Sequence, residues 1–168
     1  MENLEKFLDK VERFVKNPSK GLPDEIFYFV GRMTPYINVD LLIKHPQKGI
    51  LLTWRNDKFS GSGWHFPGGI IRFRESIKER IINVGKNELD IKIKKISGPL
   101  DINQIIRKNE TERSHFISLL YECKISFKNN SNFLNYIKKN QNILFFKKKP
   151  KNLLKLHKIY KKYFDNYE

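Results

Sequence analysis

The first sixteen residues place apolar side chains at three- and four-residue steps, at Leu4, Phe7, Leu8, Val11, Phe14 and Val15. That spacing gathers them on one stripe, so it predicts an amphipathic helix over residues 2–16, stopped by Asn17-Pro18. A second, short helix is predicted from Pro23, whose fixed φ suits a first helical turn, with Ile26, Phe29 and Val30 on one side before Gly31. From Tyr36 the pattern becomes strand-like. YINVDLLIK (36–44), a turn over 45–49 and ILLTW (50–54) read as a β-hairpin, followed by a polar loop over 55–63. Ser76 with Glu79 three residues on is a capping box, and Ile77, Ile81 and Val84 give the helix it opens an apolar stripe. Strands are predicted over 91–98 and 114–127, and the charged NQIIRKNETER between them is long enough to be a site-lining loop. ILFF (143–146) is a further strand candidate, and a closing basic helix turns Leu153, Leu156, Tyr160 and Tyr163 inward. With no repeats and no linker, the expectation is one mixed α/β domain over 21–168, with the helix of residues 1–20 packing on it.

Composition changes this picture little. A chain of 168 residues with 39% apolar and 13% aromatic residues is long and apolar enough for one ordinary core. The net charge of +15, from 33 Lys and Arg against 18 Asp and Glu, attracts anions. Most of it is lysine dispersed among Asn and Ile, without arginine clusters that read bases, so a phosphate-bearing small molecule is favoured over nucleic acid. A single cysteine, Cys123, in the apolar run FISLLYECKI, supports neither a disulfide framework nor a thiolate zinc site and is expected to be a buried thiol. No apolar run reaches the length of a membrane span or signal peptide, so a soluble cytoplasmic protein with no membrane partner is expected.

The chemistry concentrates in WHFPGGIIRFRESIKERIINVGKNELDI, residues 64–91. A double glycine turns the backbone tightly and bares a carbonyl oxygen, and the helix beyond it can offer a carboxylate to the same hard cation. This stretch resembles the box of the Nudix hydrolases, GX5EX7REUXEEXGU with U aliphatic. Counted from Gly69, Glu75 and Glu88 keep their places and Ile91 is aliphatic. Asn83 stands for Arg, Val84 for Glu, Gly85 for U, Asn87 for the first Glu of the pair and Asp90 for Gly. The branch that this reduced box is similar to is the GDP-mannose mannosyl hydrolases, which cleave at the sugar carbon. The similarity extends over about residues 22–127, through LPDEIFYFVGRMTPYINVDLLIKHPQKGILLTWRND.

The resemblance implies a Nudix-like α/β/α sandwich with a mixed β-sheet. It also implies Mg2+-assisted hydrolysis of a nucleotide-activated sugar, with one ion expected and Mn2+ as a substitute. Carried over residue by residue, the Gly68 carbonyl and Glu88 hold the metal, with Glu75 a secondary candidate. Arg55 contacts the departing nucleoside diphosphate, and Asp40, His115 and Phe116 belong to the substrate pocket. Ile70 stands where the branch has an arginine, a role open to Arg72 or Arg74. The branch's histidine base aligns with Asn140 or Gln141, neither of which accepts a proton near neutral pH. For His65 and His115 a structural role outweighs a catalytic one, with a place facing the site left open to either; His45 is expected to be a turn residue and His157 part of the tail helix. Three readings therefore stand: a hydrolase of that branch, a degenerate domain that binds a nucleotide sugar or nucleotide without turnover, or a Nudix enzyme for another nucleoside diphosphate derivative. The amphipathic first helix is compatible with a homodimer.

Overall fold

The computed structural model describes residues 3–126, 133, 137 and 141–165. The apolar run after Tyr36 does not form one arm of a hairpin. Residues Tyr36–Leu42 form β1 in one sheet, and only Lys44–His45 (β2) turn back to pair with Gly49–Asp57 (β3) in another. The reason is burial on both faces. Val39 and Leu41 enter one core with Leu51, while Leu42 enters a second core with Ile50 and Leu52. Such a strand reads as a continuous apolar run and belongs in the middle of a sheet. There β1 lies between Gly68–Ile70 (β5), antiparallel, and His115–Ile125 (β7), parallel; Ile93–Ile106 (β6) completes the order β5-β1-β7-β6.

The second sheet centres on β3, which pairs antiparallel with β2, with Gly61–His65 (β4) and with Ile143–Phe146 (β8). The expected loop over 55–63 is thus mostly hairpin. Its turn is closed by the Asp57 carboxylate, which accepts the N–H groups of Phe59 and Ser60 at 2.9 and 2.6 Å. Strand β6 likewise runs past the expected stop at Gly98-Pro99. The proline falls at a register shift between Ser97 and Asp101, where it owes no ladder hydrogen bond.

The helices lie outside the sheets. The first, Leu4–Glu12 (α1), is capped by Asn3 and is shorter than expected; none of its residues is buried, and Leu4 and Phe7 are 69% and 53% exposed. Next comes Asp24–Gly31 (α2). The capping box forms as read, with Ser76 and Glu79 satisfying each other's backbone donors, and opens Ile77–Leu89 (α3). Ile81, Val84 and Leu89 of α3 are buried in the first core, whereas Ile77 is exposed. The second core is closed by the C-terminal segment, Lys155–Phe164, which is a 3-10 helix rather than an α-helix. With α3 over one core and this helix over the other, the architecture is a mixed α/β sandwich. Cys123 is buried, and burial pushes its pKa up to about 12. No helix among the described residues is long and apolar enough to cross a membrane.

Gly85, where an aliphatic residue was the pattern, has a packing reason: a Cβ there would stand 2.8 Å from Ile93 Cδ1, which fills the space. Gly85→Val therefore overpacks the contact between α3 and β6, and we expect a loss of about 1–3 kcal/mol in stability, read from the urea midpoint.

Candidate functional site

The double glycine comes to lie beside β1. Gly68 pairs with Asp40 across the antiparallel ladder, and a Cβ on Gly68 would sit 2.5 Å from both Asp40 Oδ1 and Val39 O. Only glycine lets β5 approach the buried carboxylate this closely. Around this contact opens a cleft of about 140 Å³, whose polar lining includes Asp40, Arg55, His65, Gly68, Arg113 and His157.

Asp40 is 4% exposed and its carboxylate is fully engaged. Oδ2 accepts from Ser118 Oγ at 2.5 Å and from Tyr160 OH at 2.7 Å, and Oδ1 accepts from Asn38 Nδ2 at 3.2 Å. Desolvation pushes its pKa up to about 6, and the hydrogen bonds and the Arg55 guanidinium hold it from rising further. The Tyr160 hydroxyl is moved up, first by burial and then by the Asp40 charge.

Glu88, on α3, presents its carboxylate to the Gly68 backbone N–H, with Arg55, Arg80 and Asp40 in its field. The residue is exposed by surface area and does not line the cleft, yet protein crowds its carboxylate. The crowding pushes its pKa up to about 7, and open access to water limits what this costs. Glu88 and the backbone of Gly68 thus meet. A carboxylate and a carbonyl are hard oxygen donors that fit Mg2+, an ion that keeps several waters and takes further ligands from substrate phosphate. Among the described residues no group of three His, Cys, Asp or Glu side chains could hold a metal without such help. Glu75 lies elsewhere. Its carboxylate takes Arg80 at 2.7 Å, Asn83 Nδ2 at 2.8 Å and the Arg72 N–H at 3.0 Å, so it braces the loop and α3.

The remaining expected residues divide. Arg55 and Phe116 line the cleft; Arg55 also faces Asp57 at 3.5 Å. Arg72 lines a separate apolar groove with Phe27 and Phe73, Arg74 stacks on Phe73, and His115 bonds Gln104 at 3.0 Å. None of these three reaches the cleft. Of the two positions where the base was sought, Asn140 lies outside the described residues, and Gln141 is exposed and does not line the cleft.

Two histidines do. His65 Nδ1 donates to the Thr53 carbonyl at 2.8 Å, which fixes the neutral tautomer and leaves the lone pair on Nε2, 3.3 Å from the Thr53 hydroxyl. His157 Nδ1 accepts the Phe66 N–H at 3.3 Å, which leaves the proton of its neutral ring on Nε2. The rings lie 5.6 Å apart, and burial followed by the Arg55 charge pulls both pKa values down to about 3. His157 keeps some accessible surface, but His65, Phe66 and Tyr160 pack around its ring. The C-terminal helix hid His157 from an α-helical count: the three-residue pitch of a 3-10 helix aligns His157, Tyr160 and Tyr163, where a 3.6-residue pitch selects Leu156. Arg107 and Arg113 also line the cleft, from the segment expected to border a site.

No family model matches the sequence. The fold is similar to the MutT Nudix hydrolase of Burkholderia pseudomallei, at a TM-score of 0.57 and 15% identity over 77% of this chain and 98% of that one. It is also similar to a Nudix hydrolase family member of Chromobacterium violaceum, at 0.50 and 14% identity over 79% and 77%. The chain therefore has the Nudix fold. In sequence, 76 residues are 28% identical to the low-salt glycan biosynthesis protein Agl8 of Haloferax volcanii, covering 45% of this chain and about half, 48%, of the relative.

The depressed histidines have a consequence for stability. Unfolded, each takes up a proton near pH 6.5; folded, each stays neutral to about pH 3, so their contribution is intact above 6.5 and is lost as pH falls toward 3. Asp40 and Glu88, with raised values, act in the opposite sense. His157→Asn, which retains an acceptor for Phe66, should therefore gain stability relative to the native chain as pH drops from about 7 to about 5, read by urea unfolding at each pH.

Proposed function

We propose that this chain hydrolyses a nucleotide-activated sugar of the GDP-mannose kind, releasing the nucleoside diphosphate and the free sugar by attack of water at the anomeric carbon. The observation that carries this reading is the pair of neutral histidines that share one cleft with Arg55 and the Gly68 turn. A reduced metal box without a base would be a binding module; a reduced box facing an imidazole is a hydrolytic site.

Arg55 stands where charge would develop on the leaving phosphate, and a guanidinium already in place acts strongly there. The Gly68 carbonyl and Glu88 would hold Mg2+, which when bound supplies further positive charge to the same phosphate. His65 is the residue we assign as base, because its Nε2 bears the lone pair while Thr53 holds Nδ1–H. A pKa of about 3 makes it a weak base in the free protein. Part of that depression comes from Arg55, and a diphosphate neutralising Arg55 removes this part. His157, with its proton on Nε2, is a hydrogen-bond donor rather than a base. Asp40, engaged by three partners, shapes the pocket through the hydroxyls it holds. The likeness to a glycan biosynthesis protein supports a sugar-bearing substrate.

The test is release of free sugar from GDP-mannose, GDP-glucose and a panel of other nucleotide sugars with Mg2+. Turnover is expected, with Glu88→Gln and Arg55→Met each lowering kcat/KM by about 100-fold. His65→Gln should lower kcat by a factor of about 100 or more while leaving product binding intact. Binding without turnover of any member of the panel would instead establish the domain as a binder, the reading that the sparse carboxylates favour.

A further inference from the structure

Two arginines of the cleft have no part in that reading. Arg107 and Arg113 stand at the two ends of the loop joining β6 to β7 and line the same cleft as Arg55. Arg107 is engaged: its Nη2 donates to the Phe59 carbonyl at 2.6 Å and pairs with Glu110 at 3.0 Å, so it ties this loop to the β3–β4 turn. Arg113 is not. Among the described residues no carboxylate lies within ion-pair distance of it. The nearby Asp57 is occupied by Arg55 and by the two N–H groups of its own turn. The Arg113 guanidinium instead packs on the Phe59 ring, 5.3 Å from its centroid. It is half-buried, and desolvation, then repulsion from Arg55, lower its pKa. Its backbone is left-handed, with φ +50°, a conformation unfavourable for a side chain of this kind.

A half-buried cation without a counter-ion, held beside a second cation, is unfavourable in the free protein and favourable once an anion arrives. Two guanidiniums that repel each other are best bridged by a ligand with two separate anionic groups. We propose that Arg113 and Arg55 form a two-guanidinium clamp for a diphosphate group, with the β6–β7 loop, anchored through Arg107, placing the outer half. This rests on the hydrolase reading only in taking the anion to be the diphosphate shared by a nucleotide sugar and its product.

The experiment is calorimetric titration of the full chain with inorganic pyrophosphate, orthophosphate and GDP in EDTA, so that no divalent cation contributes. Pyrophosphate should bind at least about tenfold more tightly than orthophosphate. Arg113→Met should weaken pyrophosphate and GDP by about tenfold or more while orthophosphate changes by less than about twofold, and Arg113→Lys should recover part of the loss. A thermal melt matching the native chain establishes that the variant is folded. If Arg113→Met does not fold, Arg113→Lys and the salt dependence of native pyrophosphate binding decide, a steep loss being expected between about 50 and about 500 mM NaCl. Pyrophosphate binding no tighter than orthophosphate, absent, indifferent to salt or unchanged in the Arg113 variants overturns the clamp. Arg113-dependent pyrophosphate binding without turnover of any nucleotide sugar leaves the clamp standing and removes the hydrolase reading. Turnover with binding indifferent to Arg113 does the reverse.

Discussion

The buried carboxylate of Asp40 is the constraint to which the other parts of the site answer. A carboxylate at 4% exposure must find its hydrogen bonds within the protein, and it draws them from its own strand, from β7 and from the C-terminal helix. Ser118 Oγ and Tyr160 OH are also 2.7 Å from each other, so the three groups form a closed set. The set fixes how the C-terminal helix seats on the second core, and with it the position of His157 one 3-10 turn before Tyr160. On its other side Asp40 dictates glycine at position 68, because nothing larger fits beneath its Oδ1. One buried charge thus positions both walls of the cleft, the wall with the Gly68 turn and the wall with the histidine.

Within that frame Arg55 sets the field. Its charge lowers the pKa of Asp40, Asp57 and Glu88 by attraction and of His65, His157 and Arg113 by repulsion. The histidines stay neutral and the carboxylates are held back from full protonation despite burial. A cleft so arranged is short of negative charge and rich in oriented donors, the condition in which an incoming anion changes every neighbouring equilibrium at once.

Much of this was legible in the sequence because it rests on local rules. The capping box at Ser76 and Glu79, the buried Cys123 and the strand at ILFF each follow from spacing and residue type. Arg55 and Gly68, both named through the family resemblance, line one cleft. The failures have physical causes. The β1 run was assigned to a hairpin because burial on both faces removes the alternation that would separate a central strand from an edge arm. The Ser- and Gly-rich β4 carries little strand propensity and is held by its pairing with β3. The β6 strand was cut at Gly98-Pro99 because a register shift that accommodates proline has no local signature.

His157 was missed for a reason that bears on how such sites arise. A histidine sought by alignment is sought at one position in one loop, but what gathers side chains around a cleft is spatial, and here the C-terminal helix brings an imidazole to it. Here the tail crosses the second core, with Trp64 bridged to Leu153, and returns two residues short of the cleft floor, where Phe66 N–H meets His157 Nδ1. That hydrogen bond sets the two rings apart, since it occupies the lone pair of His157, whereas His65, tied by its proton to the Thr53 carbonyl, keeps its Nε2 lone pair 3.3 Å from the Thr53 hydroxyl. Two histidines of similar depression are thereby made chemically unlike by one backbone donor and one backbone acceptor, contacts that depend on the folded chain and have no counterpart in residue spacing.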